Sequence, residues 1–297
     1  GLAHPPFGLL PGLLGYALLM RLADTEGPRP LRSAFFRGWL AGVGYFAIGV
    51  WWITEAFLVD AAAHGWMAPF ALLFMAGGLA LFWGLAALAY RWAAVRGPWR
   101  VLAFAGCLAL AEWVRGHVFT GFPWNLPGES WGAGGAISQT AALVGSYGLS
   151  WITIAVAASA ALVLDSTPRR GRAVGLGLAV ATLAGLFAFG AMRLAAAPQG
   201  AAAAPLIRVV QANIDQKDKW KPENLDAIVE AYVELSRGKP GDPVPQIIVW
   251  PEGALPAVID DLLAPGSPYV ARFAQAVAPG QTLLLGANRV QFDAQGQ

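Results

Sequence analysis

The sequence predicts a membrane-embedded α-helical bundle followed by a partial α/β domain, and three observations carry that reading. Of 297 residues, 57% are hydrophobic and only 13% are charged. A soluble domain carries about 25% charged residues, so lipid is the solvent for much of this chain. Six apolar segments fill residues 1–197. Beyond residue 197 the apolar runs shorten and alternate as strand, helix, strand, helix, strand, which is an α/β pattern.

The six segments are 7–22, 38–58, 67–90, 101–119, 136–164 and 173–195. A helical crossing takes about 20 residues, so the first, interrupted by Pro11, is short and the other five are long enough. Thirteen tryptophans suit a membrane–water interface. The formal net charge of +2 is too small for a nucleic-acid partner, and the basic residues sit in short loops rather than one patch. Cys107 is the single cysteine, so no intrachain disulfide forms. The sequence opens on Gly1 with no basic start and cleavage pattern, which predicts that the natural N-terminus lies upstream.

Loop charges predict orientation. The first loop holds Arg21, Arg29, Arg32 and Arg37, the third Arg91, Arg96 and Arg100, and the fifth Arg169, Arg170 and Arg172. The second, around Asp60 and His64, has no Lys or Arg, and the fourth has only Arg115. Short loops that keep positive charge face the cytoplasm, which places everything after residue 197 outside it.

Residues 198–205 read as an alanine-rich linker, and 206–297 as the opening part of the second domain. Leu206–Ile214 is expected as a buried strand. Pro222 suits a helix start, with Leu225, Ile228, Val229, Tyr232 and Leu235 at helical spacing. Further strands are expected at 247–250 and 282–287, with a helix at 268–277 between them. The polar run at 292–297 follows with no seventh apolar helix, and an open apolar sheet edge is poorly protected, so the expectation is a domain that continues beyond Gln297.

The segment Ile247–Pro256 is the most informative for chemistry. A strand delivers Glu252 at its C-terminal end, where sites form in open α/β sheets. A carboxylate walled there by Trp250 and Pro251 is expected to have a raised pKa and to serve as a general base; a solvated glutamate at a strand-to-loop junction is the plainer alternative. Cys107, in an apolar helix, is read as a packed thiol rather than a nucleophile.

A strand followed by Pro251-Glu252 and a second proline resembles the glutamate motif of the carbon–nitrogen hydrolase (nitrilase) superfamily, and Gln211-Ala-Asn213 is similar to that superfamily's first strand end. Within it, apolipoprotein N-acyltransferases place this domain after membrane helices. Their Lys-Trp pair is matched by Lys219-Trp220, and their T-G-F-P-W loop by Thr120 to Trp124, after Glu112-x-x-Arg115-Gly116. The resemblance implies an αββα nitrilase-like sandwich and a Glu–Lys–Cys triad in which Glu252 is the base. It implies acyl transfer from a phospholipid, through a cysteine thioester, to the α-amine of a diacylglyceryl cysteine on an apolipoprotein, at the bacterial inner membrane with the hydrolase-like domain periplasmic. The family's lysine and cysteine lie further along than Gln297, so these 297 residues are expected to be inactive alone.

Other candidates have two readings each. Glu112 and Arg115 can pair on one helix face and bind substrate, or Arg115 can snorkel to the interface. Phe122 and Trp124 line a lipid access or belong to an aromatic belt. Trp220, among Lys217, Lys219 and Lys221, meets phospholipid headgroups or anchors a helix start. Gln211 and Asn213 are expected to satisfy local backbone, and Glu55 to be a solvated charge. The scattered His4, His64 and His117 predict no metal site, and no cofactor is expected. Two other classes stay open. A transporter or scaffold with an external binding domain predicts charges buried along a path, and a membrane-anchored amidase uses the same glutamate with water as acceptor.

Overall fold

A computed structural model of the chain describes residues 1–164, 166–196 and 204–289. Internal contacts divide the chain into two compact units, Gly1–Ala197 and Pro198–Gln297. Of the segment read as a linker, only Ala204 and Pro205 are among the described residues, and the polar run at 292–297 lies outside them.

The first unit is helical. A 3-10 turn over Leu10–Leu14 absorbs Pro11 and leads into α1 (Gly15–Ala23). Helix α2 (Pro30–Gly49) starts on a proline, whose missing N–H costs nothing in the first turn. Its expected continuation to residue 58 is broken: a 3-10 turn Trp51–Thr54 and a short helix Glu55–Leu58 follow at a bend of 62°. Then come α3 (Ala68–Ala93), α4 (Arg100–Arg115), α5 (Ala141–Ser159) and α6 (Arg169–Ala195).

Among the described residues, Ala61–Ala93, Ile137–Val163 and Arg169–Ala195 are long and apolar enough to cross a membrane, and the bent pair after Pro30 makes a fourth if it is one span. The chain is thus a membrane protein, with fewer full-length crossings than five long apolar segments promised. Helix α4 accounts for one shortfall. Its 16 residues reach about 24 Å at 1.5 Å each, against a hydrocarbon core of about 30 Å. It stops at Arg115, and Phe119 (φ 55°), Thr120 (φ 84°) and Gly121 (φ 81°) then turn left-handed, where helix cannot continue.

Helices α2 and α3 approach closely. A Cβ on Gly38 of α2 would lie 2.5 Å from the Trp83 carbonyl of α3, so only glycine fits. Tyr16, Tyr45, Phe46, Trp83 and Phe104 fill the core beside this contact. Cys107 is half-buried and packs against the same core, as expected of a structural thiol.

The second unit holds a parallel three-stranded sheet, β1 (Ile207–Val209), β2 (Ile247–Trp250) and β3 (Thr282–Leu285), in that order. Ile248 pairs with Arg208 on one side and Leu283 on the other. The connecting helices are α7 (Leu225–Arg237) and α8 (Pro268–Ala276). Two right-handed crossovers stepping the same way across a sheet put both helices on one face. Accordingly Trp250 meets Tyr232 of α7 at 5.0 Å and Phe273 of α8 at 5.8 Å between ring centres.

The other face is more open among the described residues, which corrects the expectation of a buried first strand: Val210 is buried, but Ile207 and Val209 are 51% and 70% exposed. That strand is also shorter than 206–214. Its last ladder bond is Val210 N–H to the Val249 carbonyl at 2.9 Å. Asn213 then adopts φ 50°, with its N–H held by the Gln211 side chain at 3.1 Å, so Gln211 serves local backbone as expected. Leu235, placed on the apolar face by spacing, is exposed instead, and Val233 is buried. Glu55 is exposed, as read from sequence.

Candidate functional site: a clamped loop and a strand-end glutamate

In the first unit, the chemistry gathers where α4 ends. Glu112 and Arg115 are 0% and 1% exposed, so Arg115 does not snorkel to an interface. One Glu112 oxygen accepts the Trp83 indole N–H at 2.5 Å; the other accepts Arg115 Nε–H at 2.9 Å and a second bond from Nη2. A buried charge persists only when paired and hydrogen-bonded, and Trp83 and Arg115 supply both conditions.

The pair also fixes the loop that follows. Arg115 donates from Nη1 to the Phe122 carbonyl and from Nη2 to the Trp124 carbonyl at 3.1 Å, while Phe122 N–H returns to the Arg115 carbonyl at 3.0 Å. The guanidinium lies 5.0 Å from the Phe46 ring centre. One residue on, the Tyr45 hydroxyl donates to the Asn125 carbonyl at 2.6 Å, and His4 Nε2 lies 2.5 Å from that hydroxyl. Asn125 takes φ 59°. Glu129 accepts Leu126 N–H at 2.9 Å, and burial pushes its carboxyl above the usual range. The backbone of 122–126 is thereby held at almost every step. Among its side chains Leu126 is buried and Phe122 half-buried against the core, while Trp124 is 51% exposed and meets Phe122 at 5.1 Å and Trp52 at 5.0 Å between ring centres.

In the second unit, Glu252 follows the central strand β2 and sits at the carboxyl end of all three strands. A turn from the Pro251 carbonyl to Ala254 N–H (3.1 Å), with Gly253 at φ 64°, carries it. Gly286, just past β3, lies so close beneath that a Cβ there would be 2.7 Å from Glu252 Cα. Gly286 N–H donates to the Trp250 carbonyl at 3.3 Å, and Ile259 N–H to the Asn288 carbonyl at 2.9 Å. The backbone that presents the carboxylate is thus pinned between the ends of two strands.

The dry wall expected around Glu252 is not there. Glu252 is exposed. Trp250, expected to shield it, is 1% exposed and points into the core, its N–H bonded to Ser236 Oγ at 2.8 Å. The reason is that β2 ends at Trp250, whose side chain belongs to the helix-covered face, and the turn from Pro251 to Ala254 then carries Glu252 out of the strand's alternation. Lys219 is the neighbour that sequence did not single out as a site residue: a Cβ on Gly253 would lie 3.5 Å from its Nζ. Trp220 beside it is 59% exposed, its N–H bonded to Gln216 at 3.3 Å.

The model of the apolipoprotein N-acyltransferase N-terminal domain matches residues 1–159. The chain belongs to this family. Its similarity to named members runs through both units. It is 57% identical to an apolipoprotein N-acyltransferase of Caulobacter vibrioides over 98% of this chain and 54% of that protein. Proteins of the same name from Rhizobium rhizogenes and Brucella melitensis are each 38% identical, over 98% and 99% of this chain and 56% of their own lengths. The chain therefore spans about half the length of the curated relatives it matches.

Set within the family, the residues picked from sequence fall into two groups that the fold treats differently. Glu112, Arg115, Phe122 and Trp124 are brought together by direct bonds. Glu252 and Trp220 share the strand-end region, with Lys219 next to the Glu252 turn. Trp83 and Tyr45, which complete the clamp, were missed. A tryptophan facing a helix core needs a partner for its N–H, and the one nearby carboxylate on another helix was the available signal.

Proposed function

We propose that this chain is the membrane bundle and the first part of the catalytic domain of an enzyme that N-acylates the amino-terminal diacylglyceryl cysteine of lipoproteins. The acyl group comes from a phospholipid and passes through a cysteine thioester, which splits one difficult transfer into two easier ones. Glu252 is the general base: it takes the thiol proton as the acyl group is captured and gives it to the lysophospholipid oxygen that leaves, then takes the amine proton and returns it to the thiolate set free as the amide forms. The observation that carries this reading is the placement of that carboxylate at the carboxyl end of β2, on a turn pinned by Gly286.

Two further features support it. The more open apolar face of the sheet, with Ile207, Val209 and Leu284 each more than half exposed among the described residues, is the face a second sheet would cover in an αββα sandwich. The clamped 122–126 backbone, with an exposed Trp124 backed by a half-buried Phe122, gives lipid chains an ordered aromatic rim. The arginines of loops one, three and five support a reading in which those loops face the cytoplasm and residues 204–289 the periplasmic side of the inner membrane.

The test uses a phospholipid labelled in its acyl chain and a diacylglyceryl peptide. A protein of the relatives' full length forms an acyl-thioester and delivers the label to the peptide amine. The 297 residues alone form no thioester; label trapped on Cys107 would contradict the assignment.

A further inference from the structure

Helix α6 is the least packed of the long apolar helices, with only 6% of its most apolar stretch buried. It is nonetheless anchored at both ends. Near its start, Gly171 lies against Pro98, a Cβ there being 3.8 Å from the proline ring, and Gly175 lies against Leu162. Near its end, Gly190 sits on the Ala136 carbonyl, and Arg193 donates to Gln139 at 3.2 Å. Between the anchors the helix stands off from α4 and α5 and leaves a cleft of about 210 Å3.

Its walls are apolar: Trp99 and Leu102 of the α4 end, Trp151 and Ala155 of α5, Leu178 and Thr182 of α6. The hydroxyl of Ser159, also in the wall, is occupied by the Val156 carbonyl at 2.6 Å. From Ser159 to Trp151 the groove runs about 12 Å along α5 at 1.5 Å per residue, long enough for much of an acyl chain.

One end of the groove carries charge. Arg169 and Arg170 open α6 and are exposed, Arg96 is exposed two residues before Pro98, and Trp99 stands at the rim, 69% exposed. Basic rims on clefts between membrane helices attract anionic headgroups, and an indole marks the depth of the interface. We propose that this cleft is a binding site for an anionic glycerophospholipid, with one acyl chain between α4, α5 and α6 and the phosphate on Arg169, Arg170 and Arg96. The site lies wholly within the first unit and is independent of Glu252.

The test is photo-crosslinking in bilayers with phosphatidylglycerol carrying a diazirine in its acyl chain, compared with phosphatidylcholine carrying the same group. Phosphatidylglycerol is expected to label peptides spanning 99–102, 151–156 and 174–182 about fivefold more strongly, the preference expected of one basic contact at a membrane surface. Arg169→Gln with Arg170→Gln brings the two lipids close to equality. Ala179→Trp, which fills the groove, removes the label there while labelling of the outer face of α3 and the thermal unfolding midpoint stay unchanged. Equal labelling by both lipids, or label spread evenly over all lipid-facing helices, overturns the proposal by showing ordinary boundary lipid. Groove label that persists unchanged in the charge-neutral variant overturns it as well, and so does a cleft closed to both probes by another helix.

Discussion

Glu112 and Glu252 make an instructive pair. Both are carboxylates singled out by motif, one at the end of a membrane helix and one at the end of a parallel strand. Glu112 is fully buried, and its two oxygens are taken by Trp83 and Arg115. Its acceptor capacity is spent on holding a loop. Glu252 is exposed and, among the described residues, held through its backbone, so its oxygens stay available. A carboxylate used to fix structure and one offered for chemistry are told apart by which of their atoms the fold consumes.

The largest effect should come from breaking the first of the two. Glu112→Leu leaves Arg115 buried without its counter-charge, a loss of about 3–5 kcal/mol, read as a lower thermal midpoint in detergent. Replacing both by leucine should recover much of that stability yet leave the Phe122 and Trp124 carbonyls unheld, visible as faster amide exchange at 122–126. Recovery of the loop as well would show that the pair does not clamp it. In the second unit, Trp250→Ala removes the ring shared by Tyr232 and Phe273 and should cost about 3 kcal/mol, measured as earlier proteolysis within 204–289.

Smaller changes sharpen the contrast. Tyr45→Phe deletes the donor to the Asn125 carbonyl and should cost about 1 kcal/mol in the same thermal assay. Glu129 should show the smallest effect, and only with pH. Its carboxyl is raised in the folded protein, so the folded state holds the proton more tightly than the unfolded one. Stability then falls as pH climbs from the unfolded carboxylate value through the folded one. Glu129→Gln should flatten that slope slightly; an unchanged slope would remove Glu129 as its source.

Much of this was legible in the sequence where periodicity and local chemistry agree. The strand at 247–250 and the helix at 268–276 were found to within a residue because Pro251, Pro268 and the apolar runs punctuate them. The end of α4 was not found, because residues 116–119 are still apolar enough to read as helix; left-handed backbone at Phe119 and Thr120 carries no compositional mark. Nor was the exposure of β1. Ile207 and Val209 look like core, and which face of a sheet the helices cover depends on crossover handedness, not on the strand's own residues. The Glu112–Arg115 spacing announced a pair, but not that its donors would reach two loop carbonyls. Trp250 and Glu252, two apart, would share a face had the strand continued; they part company because β2 ends at Trp250 and the Pro251–Ala254 turn redirects the chain.

The division of labour between the two glutamates is tested most directly by Glu252→Gln in a protein of the relatives' full length, with acyl-thioester and thermal midpoint read on the same sample. An exposed, isosteric change should move stability by less than about 0.5 kcal/mol while thioester formation from labelled phospholipid is abolished. Acylation at the wild-type level would remove Glu252 as the base, whatever its position at the strand end.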